Sequence, residues 1–396
     1  MTRGLVIVAA GLIALNGTAA FGPLEEVRVR TDDELRAAVR TAAPGARILI
    51  EPGTYRGGLW LENLHGTPGS PIVIEGRSTE SPPVFQGGTE ALHLVEASHV
   101  VLRNLRIRGM TGNGLNIDDG GTSETPAHHI TLERIRISDV GPEGNRDGIK
   151  LSGVDDFTIR DCTIERWGSG GSGIDMVGCH RGRIEDCTLR QGGSEGVQCK
   201  GGTSQVMIQR CRFLDCGHRG VNIGGSTGLA FFRPPVDRMP PGGRCEARDV
   251  TVQGCLFVGG QAHVAFVGVD GAVVRACTLY RPGRWAVRIL QETREPGFVP
   301  CRNGVVEDCI IVFRSDLWAE GGVNIGPATA PQTFRFARNV WRCEDRPDRS
   351  APRLPVAESG GIIGADPLFV DPARGDFRLR PGSSAAGRGH TALLGE

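Results

Sequence analysis

One recurring pattern constrains this 396-residue chain more than any other feature. Apolar residues alternate, a small or polar residue interrupts, and two more alternating positions follow. The pattern appears as ITLERIRI (130–137), FTIRDCTI (157–164), GRIEDCTL (182–189), VMIQRCRF (206–213), VTVQGCLF (250–257), AVVRACTL (272–279) and, shortened, VVEDCII (305–311). Aligned on the sixth position, the anchors are Leu105, Ile135, Cys162, Cys187, Cys211, Cys255, Cys277, Cys309 and Asn339, spaced 22 to 44 residues apart. A second pattern, mostly Gly-apolar-polar-apolar-variable, lies between them: GLNID (114–118), GIKLS (148–152), GIDMV (173–177), GVQCK (196–200), GVNIG (220–224), HVAFV (263–267), AVRIL (286–290) and GVNIG (322–326). Period-two alternation marks a strand with one buried face. No stretch in this region has helical periodicity. Short strands with glycine-rich corners, repeated about every 25 residues, cannot bury their apolar faces alone and must stack. The expected fold is an all-β parallel solenoid. Its coils lie ~4.8 Å apart, so like residues form ladders. The 59 glycines, about twice the usual ~7% share, supply the corners.

The ends read as caps. TDDELRAAVRTA (31–42) carries a capping box, with Thr31 as N-cap and Glu34 three residues on. A helix there would cover the first coil, and ILIEPGTY (48–55) would start the strands. The tail, residues 346–396, reads as a C-terminal cap without chemistry, leaving 21–345 as the solenoid domain with its N-terminal cap. Residues 1–20 read as a secretory signal peptide: Arg3 precedes an apolar run from Gly4 to Leu15, and Thr18-Ala19-Ala20 offers small cleavage residues. The run is too short to span a bilayer. The mature chain is therefore expected to be secreted or periplasmic, free of the membrane, and monomeric. With 45 basic and 45 acidic residues it has no nucleic-acid footprint. Twelve cysteines would suit a disulfide framework, yet six occupy the anchor position and Cys199 an inward strand position. These seven read as a buried ladder of small apolar side chains. Cys245 and Cys301, in separate insertions, are the candidate disulfide. No CxxC or Cys/His zinc spacing occurs.

The outward positions of the second pattern form a grid. Column one, just before the glycine, reads Asn113, Asp147, Ser172, Glu195, Arg219. Column two reads Asn116, Lys150, Asp175, Gln198, Asn222, Ala265, Arg288, and column three Asp118, Ser152, Val177, Lys200, Gly224. A solvated face would also be polar, but of 45 basic residues only Lys150 and Lys200 are lysines, and both fall here. Lysine suits a site that needs a compact ammonium or a lowerable pKa, because arginine stays protonated. Lys150 should pair with Asp175, its column neighbour. Lys200 has only Val177 and Gly224 beside it, so it is expected to lack a counter-ion and to act as a base. Glu195 and Arg219 should touch, leaving Arg219 to bind a substrate carboxylate. Asp147, Asp175 and Glu195 are the candidate Ca²⁺ ligands. Lys150, Gln198, Asn222, His218, Asn116 and Arg288 complete the expected substrate-binding set. Insertions at 118–129, 226–249 and 291–303 should rise as cleft walls, with Phe231, Phe232 and Arg233 offered to a sugar.

Over residues 45–345 the repeats resemble the right-handed parallel β-helix of pectate lyases, polygalacturonases and chondroitinase B-type lyases. Glu195, four residues and then Lys200, followed by Cys211-Arg212-Phe213, is similar to the catalytic segment of chondroitinase B and alginate lyases. Gly193 stands where that family has a further acidic ligand. SGGSGIDMVG (169–178) and GVQCKGG (196–202) resemble lysine-base pectate lyases, with Asp175 matching a Ca²⁺ ligand and Lys200 the base. Their neighbouring aspartate pair is absent. The resemblance implies β-elimination on a uronic-acid polysaccharide, with Lys200 as base, Arg219 as neutraliser and Ca²⁺ as the cofactor to test for. GHRGVNIGGS (217–226) and NRDGI (145–149) resemble parts of polygalacturonases, so hydrolysis by Asp147 and Glu195 is the alternative. A non-catalytic glycan-binding adhesin is the third reading.

Overall fold

Each coil turns on a backbone conformation that the anchors announce. The residue before the anchor is left-handed in coil after coil: Asn104, Arg134, Asp161, Asp186, Arg210, Asp308 and Arg338 all have φ between 52° and 55°. Asn and Asp tolerate this region better than other side chains. The turn bends the chain from one sheet to the next and points the anchor inward. A computed structural model describes residues 26–317 and 322–393, so the expected signal peptide at 1–20 lies outside the described residues.

Three parallel sheets result, visited in the same order by every coil. The first has thirteen strands from Glu26–Val29 to Arg335–Ala337, and the second has twelve from Thr54–Arg56 to Ile362–Ile363. The third has ten, from Leu59–Glu62 to Val323–Ile325, and carries the grid. One continuous apolar core runs down the middle. The anchor cysteines lie in it as expected. Each of Cys162, Cys187, Cys211, Cys255, Cys277 and Cys309 donates its thiol to the carbonyl two residues earlier, at 3.2–3.3 Å. Asn339 closes the ladder, accepting from the Cys309 N–H and donating to the Val306 carbonyl, both at 2.9 Å. Cys199 is fully buried. All twelve cysteines are free, so the candidate pair Cys245 and Cys301 is not joined.

The cap helix, α1 (Asp32–Arg40), has Thr31 as its N-cap, with the reciprocal bond of Glu34 displaced by one residue. The Glu34 N–H donates to Thr31 Oγ1 at 3.2 Å, and Glu34 Oε2 reaches back to the Arg30 N–H at 2.6 Å. Leu35, Ala38 and Val39 are its buried face. The solenoid begins earlier than expected. Glu26–Val29 precedes α1 and pairs with Arg47–Ile50, a strand too short and polar to announce itself. The tail, expected at the solenoid's end, instead runs along its side. Phe369–Asp371 and Asp376–Leu379 form an antiparallel hairpin. Its Phe369 and Phe377, with Ala385, pack on Leu256, Tyr280, Ile310, Val312 and Val340 of the second sheet. The cause is a change in that sheet's outward positions. Arg106, Arg136, Thr163, Thr188 and Arg212 occupy one column in earlier coils, and Leu256, Thr278, Ile310 and Val340 continue it. Only the later coils present apolar surface to bury. Among the described residues no helix is long and apolar enough to cross a membrane.

Candidate functional site

Parallel pairing in the third sheet puts the grid in register. Asn116, Lys150, Asp175, Gln198, Asn222, Ala265 and Arg288 are successive partners. The column extends back through His93 to Trp60, which the repeat alignment had missed. Tight turns at Gly153, Gly178 and Gly201, with φ of 61–65°, end three consecutive third-sheet strands. The segments around 119–123 and 226–233 rise on either side. Between them lies a cleft of about 420 Å³, lined by both lysines, Val177 and Phe231.

Its floor is a four-charge cluster. Lys150 is ion-paired with Asp175 Oδ2, as expected, and its Nζ lies 3.9 Å from Asp147 Oδ2. Lys200 is not unpaired. Its Nζ sits 3.3 Å from the same Asp175 Oδ2 and 3.3 Å from Gln198 Oε1. The side chain folds back two positions along its strand, so its own column neighbours do not decide its partner. Asp175 is wholly buried, and its Oδ1 has no hydrogen-bond partner. Burial and then the Asp175 charge raise Asp147 to about 6, while Ser172 N–H donates to its Oδ1 at 2.7 Å. Burial works against the charge on Lys150, but Asp175 and Asp147 outweigh it and raise its pKa.

Arg219 and Glu195 are register partners but do not pair. Arg219 reaches across the cleft side to Glu292, 2.8 Å away, and donates to Asn222 Oδ1 at 3.0 Å. Asn222 is 1% exposed and donates to the Gly224 carbonyl, so it supports Arg219 rather than facing a sugar. The heads of Lys200 and Arg219 thus both turn onto column two, over the register partners Gln198 and Asn222. The other expected residues stand apart from this pair. Asn116 Nδ2 lies 3.0 Å from His93 Nε2. Arg288 stacks on Trp285 and donates to Asn324, with burial and Arg219 lowering it to about 10. His218 is exposed beside Ser194 Oγ, at 3.3 Å.

The proposed Ca²⁺ ligands do not gather. Among the described residues one trio of His, Cys, Asp or Glu brings its ligand atoms within 4.8 Å, and it is not Asp147, Asp175 and Glu195. Two ammonium groups already occupy the anionic side of Asp175. That donor set does not suit Ca²⁺, which wants several free oxygens. Of the three wall residues, only Phe231 is open, at 71% exposure. Phe232 is buried against Phe298, and Arg233 is held by both oxygens of Asp155 at 2.7 Å. Sequence reasoning also missed Glu246. It is fully buried and accepts from Gly201 N–H, Thr227 N–H and Oγ1, and Thr293 Oγ1. One carboxylate therefore roots two insertions beside Lys200. Upstream, His93 lies between Glu90 (3.1 Å) and Asp118 (2.6 Å) and packs on the exposed Trp60.

The family described as right handed beta helix region matches residues 90–236. This chain is a right-handed parallel β-helix. No curated protein matches it. Among solved structures the β-helix is similar to a rhamnogalacturonan lyase, 14% identical with a TM-score of 0.57, covering 91% of this chain and 94% of that one. It is similar to pectate lyase Pel9A at 14% identity and a TM-score of 0.56, covering 88% and 84%. An alginate lyase from Paenibacillus sp. str. FPU-7 is 18% identical with a TM-score of 0.50, covering 77% and 96%. At these identities the likeness is one of fold, and function must come from the site.

Proposed function

We propose that the β-helix is an exported polysaccharide lyase that cleaves a uronic-acid-containing polysaccharide by β-elimination. One observation carries this reading: the chain's two lysines converge on a single buried carboxylate at the floor of an open cleft. The similar folds of a rhamnogalacturonan lyase, a pectate lyase and an alginate lyase support the substrate class. Lys200, as the free amine, takes the C5 proton. The C5–H electron pair becomes the C4=C5 double bond, the C4–O bond breaks, and the departing oxygen takes a proton from solvent. The C5 proton is acidic only while the adjacent carboxylate is neutralised. Arg219 and Lys150, whose charged form Asp175 and Asp147 favour, supply that charge, and Phe231 offers an aromatic face to a sugar ring. No step is assigned to Ca²⁺. Hydrolysis by Asp147 and Glu195 would need both carboxyl groups presented to substrate; Glu195 is half-buried, but Asp147 is 2% exposed.

The test is to incubate the protein with alginate, pectate and glycosaminoglycans and follow near-UV absorbance of the unsaturated product. Lys200→Arg keeps the charge but not a removable proton, and should lower kcat by about 100-fold or more. New reducing ends without absorbance would replace the lyase with a hydrolase. Exchange of the C5 proton with solvent deuterium, without cleavage, would keep Lys200 as base but remove elimination. Binding without any turnover would leave an adhesin.

A further inference from the structure

We propose that His99, His128 and His129 form a binding site for a borderline divalent transition-metal ion such as Zn²⁺. The site is separate from the lysine cleft. It lies on the first sheet, at the corner where the chain returns from the third.

Register brings the three rings together. His128 pairs with Ser98, so His99 and His129 hold the same position in consecutive coils. Both are left-handed, with φ of 51° and 56°. A left-handed residue interrupts the alternation of a strand, so two successive side chains, His128 and His129, face outward. The His99 and His129 rings stack with centroids 4.4 Å apart. His128 stands edge-on to both, at 5.3 and 5.1 Å. His128 Nδ1 is 2.9 Å from His129 Nδ1, and one nitrogen from each ring falls within 4.8 Å of the others. Tetrahedral Zn²⁺ with Zn–N bonds of about 2.0–2.1 Å sets its ligands about 3.3 Å apart. Ring rotation alone spans that difference.

The chemistry of the donors selects the metal. Three imidazoles and no carboxylate suit Zn²⁺, Cu²⁺ or Ni²⁺ and not Ca²⁺ or Mg²⁺, which prefer oxygen. The acidic residues acting on His128, Asp155 and Asp156, are already engaged by Arg233 and Arg181. His65 bridges to Ser98 one coil earlier and adds a fourth imidazole to the corner. The remaining ligand position falls to it or to water. Because His128 and His129 directly follow the 119–126 segment, a bound ion would pin one wall of the cleft to two coils.

Calorimetric titration of untagged, metal-stripped full-length protein with Zn²⁺ tests this. The expected result is one equivalent bound, undisturbed by a hundredfold excess of Ca²⁺. His99→Asn and His129→Asn keep a residue that tolerates left-handed backbone and should each weaken binding at least tenfold with an unchanged melting curve of the metal-free protein. As a check needing no variant, the electron paramagnetic resonance spectrum of one equivalent of Cu²⁺ should show coupling to three or more nitrogens. Less than one equivalent of Zn²⁺, affinity unchanged in both variants, or coupling to a single nitrogen would each overturn the proposal.

Discussion

Replacing Asp175 by Asn should remove the anion that both lysines share. The substitution keeps the shape of the side chain and removes its charge. Asp175 Oδ1 has no partner to lose, so the effect falls on Oδ2, where Lys150 and Lys200 meet. A unit charge 3.3 Å from the Lys200 Nζ is worth about 5 kcal/mol at an effective dielectric of ~20. Screening at a side chain that is 16% exposed leaves about half of that. Losing the anion should weaken the hold on the Lys200 ammonium by about 2–3 kcal/mol and lower the pKa of Lys150, which Asp175 raises. The sign is fixed: losing an anion disfavours the charged form. Because the chain has two lysines, ¹³Cε-lysine labelling yields two side-chain resonances. Lys150→Arg and Lys200→Arg assign them, and a pH titration reads both values directly. In the unaltered protein the Lys150 resonance should titrate above the ordinary lysine value. If the Lys200 ¹³Cε resonance is the same in Asp175→Asn as in the unaltered protein, Lys200 does not feel that carboxylate, and the shared-counter-ion account of the cleft fails.

Glu246→Ala removes the acceptor for four donors at the root of two insertions. It should cost about 3–5 kcal/mol in denaturant unfolding and hasten proteolysis within 226–249, and a loss below 1 kcal/mol would refute its structural role. His93 is held at about 9, against burial, by Asp118 and Glu90. Its folded value exceeds the unfolded ~6.5, so its stabilisation is whole below pH 6.5 and is lost as pH rises through 9. After screening this amounts to about 1–2 kcal/mol, and His93→Gln should flatten the fall in melting temperature over that window. A thiol assay should find no reactive cysteine in the native protein and twelve in denaturant without reductant, whereas ten would restore the Cys245–Cys301 bond. Adding Ca²⁺ to chelated protein should change neither the melting temperature nor the activity, and restored activity would return Asp147, Asp175 and Glu195 to a metal-binding role.

Much of the fold was legible because a solenoid repeats its instructions. Alternation around Cys162 or Cys187 reads as strand, and the matching patterns GIKLS (148–152) and GIDMV (173–177) make Lys150 and Asp175 neighbours from sequence alone. The capping box of Thr31 and Glu34 was equally plain. What escaped was set by side-chain direction or by distant insertions. Lys200 leans back across two positions, which a column cannot encode. Arg219 finds Glu292 and Asp155 finds Arg233, both in segments without repeat character. Trp60 and His93 belong to the same column as Lys150, but Ala91 stands where glycine marked other coils, and GLWLE (58–62), which has the glycine, lies two coils before Asn116. The His128-His129 pair was a visible signal, yet only the register that places His99 beside it makes a cluster.

The lateral course of the tail changes how the molecule should come apart. In a stack of coils each unit touches only its neighbours, and unfolding can proceed from an end one coil at a time. Here Phe369, Phe377 and Ala385 grip residues of four successive coils, from Leu256 through Tyr280 and Ile310 to Val340. The His390 N–H adds a bond to Thr278 Oγ1 at 3.1 Å. The tail is a splint laid across joints that would otherwise open independently. It ties the later coils into one cooperative block, so fraying from that side must break the whole block before it reaches the coils that carry Lys150 and Lys200.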